Sequence, residues 1–203
     1  EFVVGVTNAH NDKFADVYGD NSISIEGDGT HSRRLEKSRI PLGYSLAWNG
    51  RFLNDKILTR WSWGIESEAR HKHSRMLILG QKLNLERLQW YFDYMSQNDG
   101  VDRLGLASDE LRGFFPSSGN DVWMSDIHYN SFVTKLNWQF IPRWNLMLKG
   151  MYETASVTKI DRFKDFRKSY GYVGSVEYYP IKGQDLRIFL AYVGRKITYK
   201  EGI

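Results

Sequence analysis

Cysteine is absent from the 203 residues. That excludes a secreted domain stapled by disulfides and a thiolate-ligated zinc site. Proline is scarce, at 4, and no apolar run approaches the length of about 18 residues that a helix needs to cross a bilayer. No phosphate-cradling glycine loop and no Gly-x-Ser-x-Gly elbow occurs. The net charge is small, +4. A cationic bias of this size slightly favours anionic solutes or lipopolysaccharide, is mostly solvated surface, and gives no reason to expect nucleic acid. The mean hydropathy of -0.50 does not exclude a membrane barrel, whose lipid-facing side chains occupy only alternate positions. The chain opens on Glu1 and stops at Lys200-Glu201-Gly202-Ile203. It reads as a processed or partial chain, so missing targeting signals carry no weight.

What is present points to strands. Aromatic residues make up 15%, with 12 Tyr, 11 Phe and 7 Trp, and such side chains suit a pleated surface. Nine strands are predicted, at about 1–8, 40–52, 56–66, 75–82, 88–96, 130–140, 144–154, 169–179 and 185–199. Ile57, Thr59, Trp61, Trp63 and Ile65 alternate with Lys56, Arg60, Ser62 and Glu66. Leu136, Trp138 and Phe140 oppose Lys135, Asn137 and Gln139, and Trp144, Leu146, Leu148 and Tyr152 oppose Asn145, Lys149 and Glu153. A period of two sends one set to each face. Arg75-Met76-Leu77-Ile78-Leu79 is apolar throughout and cannot be oriented this way.

The connections alternate in length. Tight joins are expected at Leu53-Asn54-Asp55, Leu83-Asn84-Leu85-Glu86, Ile141-Pro142-Arg143 and Ile181-Lys182-Gly183-Gln184, with longer loops at roughly 9–38, 67–74, 97–129 and 155–168. An up-and-down meander puts every second connection at the same end, and outer-membrane barrels have short periplasmic turns and long external loops. The fold class expected is all-β, an antiparallel up-and-down transmembrane β-barrel, with residues 1–203 forming a single barrel domain. Nine strands are an odd number, whereas single-chain bacterial barrels have even ones, and a solute-passing pore needs roughly 16. Further strands are therefore expected.

One face is too polar for a dry core. The predicted pore-lining set is Arg51, Arg60, Glu66, Asp93, Lys135, Asn137, Lys149, Glu153, Glu177 and Arg187. Its basic members, with Arg195, suggest an anion path, since rings of Lys or Arg select anions by their field. The carboxylates on the same face suggest instead that opposite signs brace one another across strands. Weak anion preference is the expectation. Trp48, Phe52, Trp90, Phe140, Trp144 and Tyr178 fall by the short turns, as a membrane-interface aromatic girdle would.

Other constellations are weaker. Asn11, Asp12, Asp16, Asp20, Asn21, Glu26 and Asp28 are oxygen-rich but lack calcium-loop spacing. Lys159, Arg162, Lys164, Arg167 and Lys168 form an external basic run, more simply a solvated one. His71 and His73 alternate, and His10, His31 and His128 are scattered, so no metal site and no cofactor is expected. Ser74 beside His73 and His71 is the one grouping that suits a barrel hydrolase, and it lacks a positioned third group. A barrel enzyme of the lipid-hydrolase kind, or a plugged structural barrel in an envelope complex, stand as alternatives to a pore.

The strings Leu88-Gln89-Trp90-Tyr91-Phe92-Asp93-Tyr94-Met95 and Gly100-Val101-Asp102-Arg103 resemble the phosphate-selective porin O and P family, in its Bacteroidetes-type versions. Tyr170-Gly171-Tyr172-Val173-Gly174, Glu177-Tyr178-Tyr179-Pro180 and Asp185-Leu186-Arg187-Ile188-Phe189-Leu190-Ala191-Tyr192 are similar to its closing strands. The resemblance implies a 16-stranded homotrimeric channel in the outer membrane of a Gram-negative bacterium, with this chain covering its C-terminal half. It also implies lipid and lipopolysaccharide as neighbours, and small solutes or anions as cargo.

Overall fold

The computed structural model describes residues 1–8, 23–26, 31–36, 42–102, 122–183 and 186–201. Strands β1 (Phe2–Asn8), β4 (Leu42–Phe52), β5 (Ile57–Ala69), β6 (Lys72–Asn84), β7 (Leu88–Val101), β8 (Val122–Ile141), β9 (Trp144–Val157), β10 (Arg167–Tyr178) and β11 (Ile188–Tyr199) pair antiparallel in that order. This is the expected all-β meander. Among the described residues β1 and β11 each pair on one side only, so the sheet is open. Two short strands, β2 (Ile23–Glu26) and β3 (His31–Arg34), form a hairpin in the stretch expected to be a loop. Ile23–Ile25 of β2 pairs parallel with Val122–Met124 of β8.

The connections partly correct the expected alternation. Three successive residues, Leu53, Asn54 and Asp55, take positive φ between β4 and β5, the twist that tight hairpins demand and that Asn and Asp tolerate best. Pro142 and Arg143 (φ 69°) reverse the chain between β8 and β9, Pro supplying the fixed negative φ that opens such a turn. The connection expected at 67–74 is not long. Arg70 and His71 (φ 61°) alone join β5 to β6. The strands run on because their backbones keep pairing where neither face is apolar, and a reading based on alternation loses them there. Likewise β7 reaches Val101 and β8 begins at Val122, inside the stretch assigned to a loop, because the apolar residues there follow no clean period of two.

Register sorts the side chains. Phe2, Trp48, Trp61, Leu79, Tyr94, Phe132, Tyr152 and Tyr170 are successive cross-strand partners on one face. Phe52, Ile57, Leu83, Trp90, Leu136 and Leu148 form a parallel row. Rings meet along these rows, with centroids 4.7 Å apart for Tyr94–Phe132 and 4.9 Å for Tyr152–Tyr170. Each such contact contributes about 0.5–1.5 kcal/mol beyond area burial. The unorientable segment is settled: Leu77 and Leu79 join Trp63 and Trp61, and Met76 and Ile78 take the other face. Phe52 and Ile57 flank a turn, whereas Leu136 and Leu148 in the same row lie well inside β8 and β9. This stagger tilts the strands, as barrel closure requires.

The apolar face stays uncovered. Trp90 is 44% exposed and Leu148 45%. Its few polar groups satisfy one another: Trp90 Nε1 donates to Thr134 Oγ1 at 2.8 Å, and Thr59 Oγ1 to Gln81 Oε1 at 3.0 Å. That is what contact with lipid demands, since hydrocarbon offers no partners. A Cβ at Gly194 would run into the Tyr172 ring, so the glycine lets that ring lie flat across β11. The buried clusters lie instead toward the long-loop ends of the strands. Met124, Ile127, Ala155, Val157, Ile160, Phe163 and Phe166 form one, around a short 3-10 turn at Asp161–Phe163. Leu35, Ala69 and Val101 form the other, with Trp123 against it.

Candidate functional site

The face opposite the aromatic rows carries the polar residues, and the register builds it strand by strand. Asn49, Arg60, Gly80 and Asp93 make one row. Arg51, Leu58, Lys82, Tyr91, Lys135 and Lys149 make the next, and Gln89, Asn137, Met147 and Ser175 another. Glu66 pairs with Ser74, Glu153 with Ser169, and Glu177 with Asn145 and Phe189. All ten residues singled out in the sequence thus share one face, Arg187 being drawn in by Glu177. Asn145, placed on the polar side by its alternation, belongs to the same surface, and so do Lys82 and Gln89, which were missed although the period of two places them there.

Two ion pairs brace this face. Arg187 Nη1 donates to Glu177 Oε1 at 3.0 Å, and Arg167 Nη2 to Glu153 Oε1 at 3.0 Å. Arg51 lies 3.9 Å from Asp55, but both are well exposed, and such a pair contributes little. Lys82 sits over the Tyr91 ring at 4.8 Å. Lys135 and Lys149 are direct cross-strand partners of like sign. The carboxylates are thus braced near the ends of the strands, while the middle rows keep Arg51, Arg60, Lys82, Lys135 and Lys149 against Asp93. Cavities of about 540 and 520 Å³ open on this face, one beside Asn137 and Glu177, the other beside Arg60 and Asp93.

On the opposite face Phe52, Trp90, Phe140, Trp144 and Tyr178 lie by the short turns, while Trp48 sits a row or two further in, beside Trp61. Trp144 and Tyr178 approach to 4.8 Å. A second band, unread in the sequence, consists of Tyr94, Phe132, Tyr152 and Tyr170. At about 3.4 Å per residue the stretch from Trp144 to Tyr152 is roughly 27 Å long. Strands tilted by about 40° project this to roughly 20 Å along the barrel axis, close to the apolar height of about 25 Å in outer-membrane barrels.

Toward the long-loop end, beyond the second aromatic band, basic groups gather. Arg33, Arg34, Arg70, His71, Lys72 and Lys159 line a cavity of about 540 Å³ that also has Glu36 in its wall. Arg70 Nη1 meets Glu36 Oε2 at 2.6 Å, which fixes the β2–β3 hairpin to the β5–β6 turn. Buried Lys72 donates to Asp126 Oδ2 at 2.9 Å, and Lys159 reaches the same oxygen at 3.1 Å. Burial pushes the Asp126 carboxyl up, but hydrogen bonds and charge from Lys72 and Lys159 outweigh it and hold it below its ordinary value. His73 and Ser74 are successive residues of β6 and point to opposite faces, so the strand itself separates them. His10, Asn11 to Asn21, Asp28, Arg103, Gln184 and Asp185 lie outside the described residues.

A family model described as phosphate-selective porin O and P matches residues 2–202, nearly the whole chain. No curated protein and no solved structure matches.

Proposed function

The chain belongs to the phosphate-selective porin O and P family, and we propose that its polar face lines a water-filled pore for passive diffusion of small hydrophilic solutes, with weak anion preference. Family membership supports an outer-membrane channel protein. The observation that carries the pore reading is the register. Across the sheet it keeps Arg51, Arg60, Lys135 and Lys149 on one face and the two aromatic bands on the other. A mixed lumen braced by Arg187–Glu177 and Arg167–Glu153 leaves its middle rows basic, and this supports an anion bias without a tight site. Glu66, Asp93 and Asn137 complete the wall. Phe52, Trp90, Phe140, Trp144 and Tyr178 anchor the periplasmic interface, and Trp48 lies deeper, beside Trp61.

In this reading the nine-stranded meander is the C-terminal half of a barrel of roughly 16 strands, assembled as a homotrimer with lipopolysaccharide around its external loops. The outer edges of β1 and β11 support the first part, because an unpaired strand edge is not tolerated in hydrocarbon. Inorganic phosphate is the first anion to try, given the family's description. The test is reversal potential across a salt gradient in planar bilayers. It should lean weakly toward anions, more so at low salt, since screening acts over about 10 Å at 0.1 M. Arg60→Glu should move it toward cations. A purified protein that does not conduct refutes the pore.

A further inference from the structure

The cavity of about 540 Å³ near the short-turn end of the polar face differs in chemistry from the rest of that face. Four side-chain amides line it, Gln89, Asn137, Gln139 and Asn145, together with Ser175 and the ring of Phe189. Among the described residues, Asn137 and Gln139 make no side-chain hydrogen bond. Gln89 spends only its Oε1, as acceptor from Tyr91 Oη at 3.4 Å. Asn145 spends only Nδ2, donated to Glu177 Oε2 at 3.2 Å. The site is therefore rich in groups that both donate and accept.

Two further observations show a built site. Ser175 is 4% exposed, and its Oγ has no hydrogen-bond partner among the described residues. A buried hydroxyl left unmatched is costly and needs an explanation. Glu177, itself 9% exposed, accepts from Arg187, Asn145 and Tyr179 Oη (3.1 Å) at once. This carboxylate is saturated, so it orients its three donors rather than binding a solute. Arg187 gives one of its N–H groups to Glu177 and lies over the Phe189 ring at 5.4 Å, its side chain half exposed. Glu177 and Arg187 neutralise each other beside the amides, while Glu86, Arg87 and Lys135 of the basic row also stand in the cavity wall.

We propose that this cavity is a subsite for a neutral polyhydroxylated solute of mono- to disaccharide size. Sugar hydroxyls donate and accept as the amides do, and the apolar face of a pyranose ring suits Phe189. The volume falls within the range of small-molecule sites, about 300–1,000 Å³. The inference rests on the reading of this face as water-lined. It adds a selectivity of different chemistry at the end opposite the basic cavity around Arg33 and Lys72.

The test titrates the full protein in detergent with maltose and, separately, with inorganic phosphate, following ligand binding by saturation-transfer NMR. Maltose should bind with millimolar affinity. Ser175→Ala should weaken it about three- to tenfold, the loss expected for one hydrogen bond, while the unfolding midpoint stays level or rises. A purely structural serine would lower that midpoint instead. Asn137→Ala combined with Gln139→Ala should abolish the maltose signal, and if that variant fails to fold, Ser175→Ala decides. Bilayer conductance of the same preparations reads the pore independently. A conducting protein that does not bind maltose overturns the sugar site and leaves the pore. Maltose binding without conductance supports the sugar site and overturns the pore. Phosphate that displaces maltose and is lost in the same variants overturns the sugar reading in favour of an anion site.

Discussion

Replacing Leu148 by Arg and Lys149 by Ala compares two neighbours that the pleat sends to opposite faces. Leu148 stands between Leu136 and Gly174 in its row, midway between the Trp144 and Tyr152 rings along β9. It is 45% exposed, and in lipid that exposure is to hydrocarbon. A guanidinium there is roughly 10 Å below either aromatic band, by the strand rise and tilt of such barrels. Near mid-membrane the cost is about 2–4 kcal/mol. Lys149 faces Lys135 directly on the polar side, and like charges in that position repel by about 0.2–1 kcal/mol. Lys149→Ala relieves this repulsion and removes no ion pair or hydrogen bond among the described residues, so it should be neutral or slightly stabilising. Urea titrations of refolding into phosphatidylcholine vesicles, read by tryptophan fluorescence, give both values. Equal losses from the two variants, or a tolerated Leu148→Arg, would show that the faces are inverted.

Asp126→Asn should loosen the long-loop end by about 1–3 kcal/mol, because Lys72 is left buried beside a neutral amide; native-state hydrogen exchange of β8 and β9 measures it. Since the folded carboxyl lies below its ordinary 3.8, its contribution is complete above that pH and is lost as pH falls through the lowered value, with no change between pH 5 and 8. Asp126→Asn should therefore flatten the acid limb of a stability–pH curve and leave the neutral region parallel. Gly194→Ala should cost about 1–3 kcal/mol, because the new methyl displaces the Tyr172 ring from β11, and the unfolding midpoint reads it. Arg143→Gly relieves a positive φ that costs about 1–2 kcal/mol for an L residue. It also gives up a bond from Arg143 Nη1 to the Pro180 carbonyl at 3.3 Å, so a net gain below about 1 kcal/mol is expected in the same titration.

Much of this is legible in the residues alone. The period of two in Ile57–Glu66 and Leu136–Phe140 separates the two faces, because consecutive side chains of a strand leave on opposite sides whatever the strand pairs with. Asn54-Asp55 and Pro142-Arg143 announce turns through their backbone preferences alone. The even spread of Arg, Lys and Glu on one face, and of Trp and Tyr on the other, is a one-dimensional property, and so is the family resemblance. Where that period fails, the reading fails with it. Met76 to Leu79 has no polar partner to mark a face, and in the upper parts of β7, β8 and β9 the apolar residues, Met124, Ile127, Ala155 and Val157 among them, follow no clean alternation.

Tertiary structure decided what depends on neighbours remote in sequence. Register alone set Lys135 opposite Lys149 and Trp61 beside Trp48, since pairing partners are chosen by hydrogen-bonded strands and not by local pattern. The docking of β2 along β8 and the convergence of Lys72 and Lys159 on Asp126 join segments whose separate compositions say nothing of one another. The amide-lined cavity is of the same kind: Gln89, Asn137, Asn145 and Ser175 come from four strands, and only the staggered sheet brings their side chains to one wall.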